Sequence, residues 1–142
     1  MNQPVDRPTF AVVTGGGTSG HVLPALAVAD ALVARGHDPA EIHYVGTERG
    51  IETTLLPDTP YRATFLDVVG VQRSITTRNV GFVPKMVAAT RRMVRLFRTD
   101  RPAVVVSVGG YASMPAVFAA NRLGIPVVVV SYDRTPGRAS RL

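Results

Sequence analysis

The sequence has no cysteine and no tryptophan, and Lys85 is its only lysine. Without cysteine there are no disulfides and no thiolate metal sites, which fits a reducing compartment. No apolar run approaches the ~20 residues that a membrane-spanning helix needs. The start, residues 1–8, has no apolar segment behind a basic head and does not read as a signal peptide. No histidine or carboxylate spacing suggests a metal site, no G-x-S-x-G elbow occurs, and no cofactor is expected. Repeats and low-complexity tracts are also missing.

What remains is a chain of 142 residues, about one domain, with 46% hydrophobic residues. The net charge of +6 comes from 15 arginines and one lysine against 10 acidic residues. Such a balance suits nucleic acid, anionic lipid or a phosphorylated ligand, and it also suits a merely arginine-rich surface.

Apolar and amphipathic runs alternate. Strands are expected at 9–14, 41–45, 61–68, 103–108 and 127–131, and helices at 22–35, 50–56, 83–98 and 113–123. A polar loop, 70–79, precedes the long helix, and residues 136–142 read as the start of another. The valine-rich fourth and fifth strands predict burial on both faces, as in parallel strands covered by helices. The fold class is therefore α/β, a doubly wound parallel sheet with its crevice at the carboxyl ends of the strands. A flexible tail, 1–8, is expected before a Rossmann-like domain at 9–142.

The first strand runs into Gly15-Gly16-Gly17-Thr18-Ser19-Gly20-His21 and then a helix. Glycines let the backbone approach an anion, and the first amides of a helix point at it. A dinucleotide site would also need an acid at the end of the second strand. That strand ends in Val45-Gly46-Thr47, Glu48 follows only later, and Glu41 sits at the opposite end. A glycine turn that only permits close helix–strand packing is the competing reading. His21, at the mouth of the helix, is placed to take a proton from a hydroxyl in its neutral form. His37 and His43 lack such company and read as structural. The helix 83–98 carries an apolar stripe of Val83, Met86, Val87, Thr90, Met93, Val94 and Phe97, with Arg91, Arg92, Arg95 and Arg98 turned away. At its start Phe82, Val83, Lys85 and Met86 read as an apolar-basic patch suited to an anionic membrane surface.

Gly16-Gly17-Thr18-Ser19-Gly20-His21, followed by Pro24 and Ala27, resembles the G-G-T-G-G-H loop of glycosyltransferase family 28, the MurG-type transferases. Val108-Gly109-Gly110-Tyr111-Ala112-Ser113 is similar to that family's second loop, G-G-Y-x-S. Tyr44-Val45-Gly46-Thr47 resembles its W-x-G-T segment, and Leu123-Gly124-Ile125-Pro126-Val127-Val128 the approach to the fifth strand. These motifs occur in order over nearly the whole chain. The resemblance implies the N-terminal, acceptor-binding half of a GT-B fold. The acceptor would be a polyprenyl-diphosphate-linked sugar, with UDP-N-acetylglucosamine held by a C-terminal half or a partner subunit. The sugar would be transferred with inversion and without a tightly held metal. Nucleic acid then drops out of the expected partners. The expected location is cytoplasmic, peripheral on the inner face of the cell membrane.

Carried over by matching position, Gly16, Gly17, Thr18, Ser19 and Gly20 would hold the acceptor diphosphate. Gly110, Tyr111 and Ser113 would line the crevice, and His21 would be the base. The family pattern H-E-Q-N is replaced by Ser131-Tyr132-Asp133-Arg134. Asp133 thus becomes a second candidate for proton transfer and Arg134 a further acceptor contact. A non-catalytic module, or one subunit of a split transferase that binds phosphorylated ligands, is the alternative reading.

Overall fold

The computed structural model describes residues 7–70 and 80–131. Five parallel strands form one sheet: β1 (Ala11–Gly15), β2 (Ile42–Thr47), β3 (Arg62–Leu66), β4 (Val104–Gly109) and β5 (Val127–Val129). Their order is β3-β2-β1-β4-β5. The helices are α1 (Ser19–Ala34), α2 (Glu52–Leu55), α3 (Phe82–Thr99) and α4 (Met114–Leu123). The chain winds outward from β1 in one direction, then crosses back to lay β4 on the other side of β1. That reversal opens a crevice between the carboxyl ends of β1 and β4. The glycine segments of the sequence sit at those two strand ends.

The central strand shows how the core forms. Successive strand residues face opposite sides of a sheet. Val12 joins Met93, Phe97, Ala116 and Ala120 of α3 and α4 on one face. Val13 joins Val22, Ala25 and Ala29 of α1 on the other. Burying a Val or Phe side chain contributes about 1.5–3 kcal/mol, so both faces hold the sheet rigid beneath the crevice. At the crevice the β1–β4 register slips: Thr14 pairs with Ser107, but Gly15 pairs with Gly109. The extra residue, Val108, carries the second glycine loop clear of the ladder.

Two packing expectations are corrected. β4 is buried, but Val128 and Val129 of β5 are 49% and 46% exposed. Among the described residues β5 is an edge strand with β4 as its neighbour, so an unbroken valine run does not imply two covered faces. In α3 the inward face is Met86, Ala89, Met93, Val94 and Phe97. Val83 and Val87, expected on that stripe, are 62% and 42% exposed, as α3 packs inward along Met86, Ala89 and Met93. Residues 71–79 of the expected polar loop, the expected helix start at 136–142 and residues 1–6 of the expected tail lie outside the described residues.

At the amino ends of the strands a polar cluster closes the sheet. His43 is buried, with its Nε2 2.7 Å from Thr64 Oγ1. Arg62 donates to Thr9 Oγ1 at 2.7 Å and lies 3.6 Å from Asp100. Burial first, then the Arg62 guanidinium, push the His43 imidazole down from 6.5 to about 4, against the pull of Asp100. Between those values the folded protein binds fewer protons than the unfolded chain. Stability contributed here is therefore full above pH ~6.5 and is lost as the pH falls toward 4, by up to about 3 kcal/mol. Denaturant unfolding of His43→Gln should show a shallower loss over that window. Parallel pH curves for the two proteins would contradict this assignment.

Candidate functional site

The site begins where β1 ends. Thr18 caps α1 in an extended conformation, yet its side chain makes no capping hydrogen bond. Its Oγ1 lies instead 2.9 Å from Nδ1 of His21. Thr18 thus turns its hydroxyl to the imidazole in the first turn and not to a backbone amide of α1. A hydroxyl can accept as well as donate. When Thr18 accepts from Nδ1–H, the lone pair of Nε2 is left to take a proton.

The second loop closes over the first. Gly109 and Gly110 have φ +104° and +84°, a region that L side chains rarely adopt. A Cβ on Gly110 would stand 2.7 Å from the carbonyl oxygen of Gly16 and 3.5 Å from Cγ of His21. A Cβ on Gly109 would stand 3.4 Å from Cδ2 of His21. The imidazole therefore lies against the bare backbone of the second loop, and the two glycine loops touch. Tyr111 crosses the same space: a Cβ on Gly17, where φ is +92°, would come 2.8 Å from its ring, and one on Gly70 3.1 Å. Ser113, expected to line the crevice, is buried, and its hydroxyl donates to Gly110 O at 2.7 Å. It holds the loop.

A carboxylate missed in the sequence lies under both loops. Glu52 of α2 is fully buried. Its Oε1 accepts the Thr47 amide at 2.7 Å, and the Gly17 amide reaches Oε1 and Oε2 at 3.3 and 3.4 Å. Nearby, Tyr44 donates its hydroxyl to the Gly15 carbonyl. Burial and the Glu52 charge push that phenol up, so it remains a donor. The spacing Gly46-Thr47, Gly50, Glu52 was the available signal, but nothing in it marks the carboxylate as internal.

The structure thus brings Gly16, Gly17, Thr18, Ser19, Gly20, His21, Gly110 and Tyr111 to one crevice. Asp133 and Arg134 lie outside the described residues. Among the described residues no three metal-ligating side chains cluster, and no helix is long and apolar enough to cross a membrane. The patch at the start of α3 is redrawn. Met86 belongs to the core, and Lys85 is paired at 3.1 Å with Asp67, which also meets Arg49 at 2.9 Å. The Lys85 ammonium beside Asp67, with Arg49, holds that carboxyl below its usual range. The exposed apolar side chains there are Val80, Val83 and Val87.

Residues 11–142 match the profile of the glycosyltransferase family 28 N-terminal domain. A Desulforamulus reducens protein is 38% identical over 132 residues, which cover 93% of this chain and 35% of the relative. A Lacticaseibacillus casei protein is 41% identical over 126 residues, covering 89% and 34%. Both are named UDP-N-acetylglucosamine--N-acetylmuramyl-(pentapeptide) pyrophosphoryl-undecaprenol N-acetylglucosamine transferase. The crystal structure of Acinetobacter baumannii MurG superposes with a TM-score of 0.79 at 30% identity, over 94% of this chain and 38% of that one. A glycotransferase of kitacinnamycin, 21% identical, shares the fold with a TM-score of 0.65. The chain spans about a third of the length of the curated relatives it matches. With the fold, both glycine loops and this profile in agreement, the chain belongs to glycosyltransferase family 28, whose N-terminal domain it carries.

Proposed function

We propose that this domain binds the acceptor of a hexosyl transfer, a sugar on a polyprenyl diphosphate, and supplies the base that activates the acceptor hydroxyl. The activity for which the relatives are named supports a UDP-N-acetylglucosamine donor and an undecaprenyl-diphosphate acceptor. The observation that carries the reading is the setting of His21. Its ring lies on the second glycine loop, its Nδ1 is bonded to Thr18, and it stands in the first turn of α1.

A diphosphate at that N-terminus meets backbone donors and the positive end of the helix dipole. The acceptor hydroxyl is then delivered to Nε2 of His21. As that hydroxyl attacks the sugar carbon from the side opposite the departing UDP, the proton passes to Nε2. The UDP-sugar is held by a second domain, of a longer chain or of a partner subunit. Arg134 is assigned to the acceptor, and Asp133 is the competing base. The reading as a non-catalytic module has no observation in its favour.

Membrane contact through α3 belongs to the same proposal. Val83, Val87 and Arg91 follow at four-residue spacing on one side of the helix, with Val80 just before it. Arg95 and Arg98 extend the exposed basic surface, while Lys85 is occupied by Asp67. The apolar side chains would reach into the interface of the inner leaflet and the arginines would meet anionic headgroups.

Joined to a donor-binding domain, His21→Ala should lose about 10²–10⁴-fold in kcat with little change in KM for the UDP-sugar. Asp133→Ala is the parallel measurement. A large loss confined to Asp133→Ala would move the base to Asp133 and leave His21 holding its loop. Vesicle sedimentation tests the membrane surface. Each basic residue near an anionic leaflet is worth about 1 kcal/mol and is screened by salt. Binding to anionic vesicles should fall steeply with ionic strength and weaken in Val83→Asp. Equal binding to neutral vesicles would reduce these arginines to a solvated face.

A further inference from the structure

Three glycines surround one carboxylate. A Cβ on Gly50 would stand 1.9 Å from Glu52 Oε2, one on Gly16 2.3 Å from Oε1, and one on Gly46 2.8 Å from Cγ. Gly16 belongs to the loop after β1, while Gly46 and Gly50 belong to the end of β2 and the turn that follows it, and each leaves its side-chain volume to Glu52. A carboxylate stripped of water is costly to bury unless N–H donors replace the lost hydration. Here the donors are the amides of Thr47, at 2.7 Å, and of Gly17, at 3.3 and 3.4 Å. Glu52 therefore ties the loop after β2 to the loop after β1.

The Gly16–Gly17 peptide is held at both edges. Its N–H is turned inward to Glu52, and its carbonyl lies against Gly110, where a Cβ would stand only 2.7 Å away. A phosphate that accepted from the Gly17 amide would share one N–H with a buried carboxylate, and like charges at that separation oppose each other.

We infer that Glu52 is a positioning residue for the anion-binding loop. It draws the Gly17 amide into the protein, fixes the Gly16–Gly17 peptide, and thereby directs the phosphate to the first turn of α1. The inference rests on the diphosphate reading of this loop. Gly17 then serves the site through its bare Cα, which makes room for Tyr111, and its amide is no ligand donor.

The test uses amide-resolved ¹H–¹⁵N spectra of the 142-residue chain, wild type and Glu52→Gln, with inorganic pyrophosphate as the probe. Glutamine keeps the shape but sets an NH2 donor where one carboxylate oxygen stood. In the wild type the Gly17 amide should exchange slowly and barely move on adding pyrophosphate, while the Ser19 amide shifts. In Glu52→Gln the Gly17 amide should shift and exchange at least tenfold faster, and the pyrophosphate Kd should rise at least tenfold. A Gly17 resonance unchanged by Glu52→Gln would overturn the inference. So would a variant of lowered Tm with unaltered Kd, because Glu52 would then be structural only. Should Glu52→Gln not fold, the wild-type titration still decides: Gly17 as the most shifted amide contradicts the inference. If no wild-type amide responds to pyrophosphate, the diphosphate reading fails and the phosphate half of the inference with it. The Gly17 resonance of Glu52→Gln then still reports whether the carboxylate holds that amide.

Discussion

Everything at the head of this sheet depends on two stretches of backbone touching without side chains between them. The Gly16 carbonyl stands where a Cβ of Gly110 would be 2.7 Å away. Any other residue at Gly110 would drive the first loop from the second, and φ of +84° there adds backbone strain. Because the loops touch, His21 can lie on one of them while its helix springs from the other. Because they touch, Tyr111 can also reach across Gly17. The crevice is the meeting of two loops, and its dimensions are those of peptide groups.

The sheet supplies the rigidity that such a contact requires. β1 is buried along its whole length, and its side chains alternate between α1 on one face and α3 with α4 on the other. The strand order places its end beside that of β4, and the register slip at Gly15 and Gly109 gives the second loop its reach. Polar groups follow the same division. At the amino ends Arg62, Asp100, Thr9 and His43 brace the strands. At the carboxyl ends Glu52 is the fully buried charge among the described residues, and it is bonded to backbone amides.

Much of this was legible in the residues. The β–α alternation, the two glycine loops and the position of His21 follow from periodicity and from glycine's place before a helix. Strand and helix ends differ from the expected ones by at most three residues, as fraying ends do. Other features were hidden for physical reasons. Glu52 sits on a helix of four residues, too short to show a face, and its partners are amides 5 and 35 residues away in sequence. The exposure of Val83 and Val87 depends on where α3 meets its neighbours, which periodicity along one helix does not encode. The exposure of Val128 and Val129 depends on strand order, and valine content carries no information about edges.

The family membership gives the chain its fold and its class, and the site geometry divides the labour within the class. A helix N-terminus suited to phosphate, with an imidazole beside it, suits the acceptor side of a glycosyl transfer. The most direct test is a competition by calorimetry between a short-chain polyprenyl-diphosphate sugar and UDP-N-acetylglucosamine for this domain. The diphosphate lipid should bind, lose affinity in Gly110→Ala, and resist displacement by the UDP-sugar. Tight binding of UDP-N-acetylglucosamine at the His21 crevice, displacing the lipid, would contradict it.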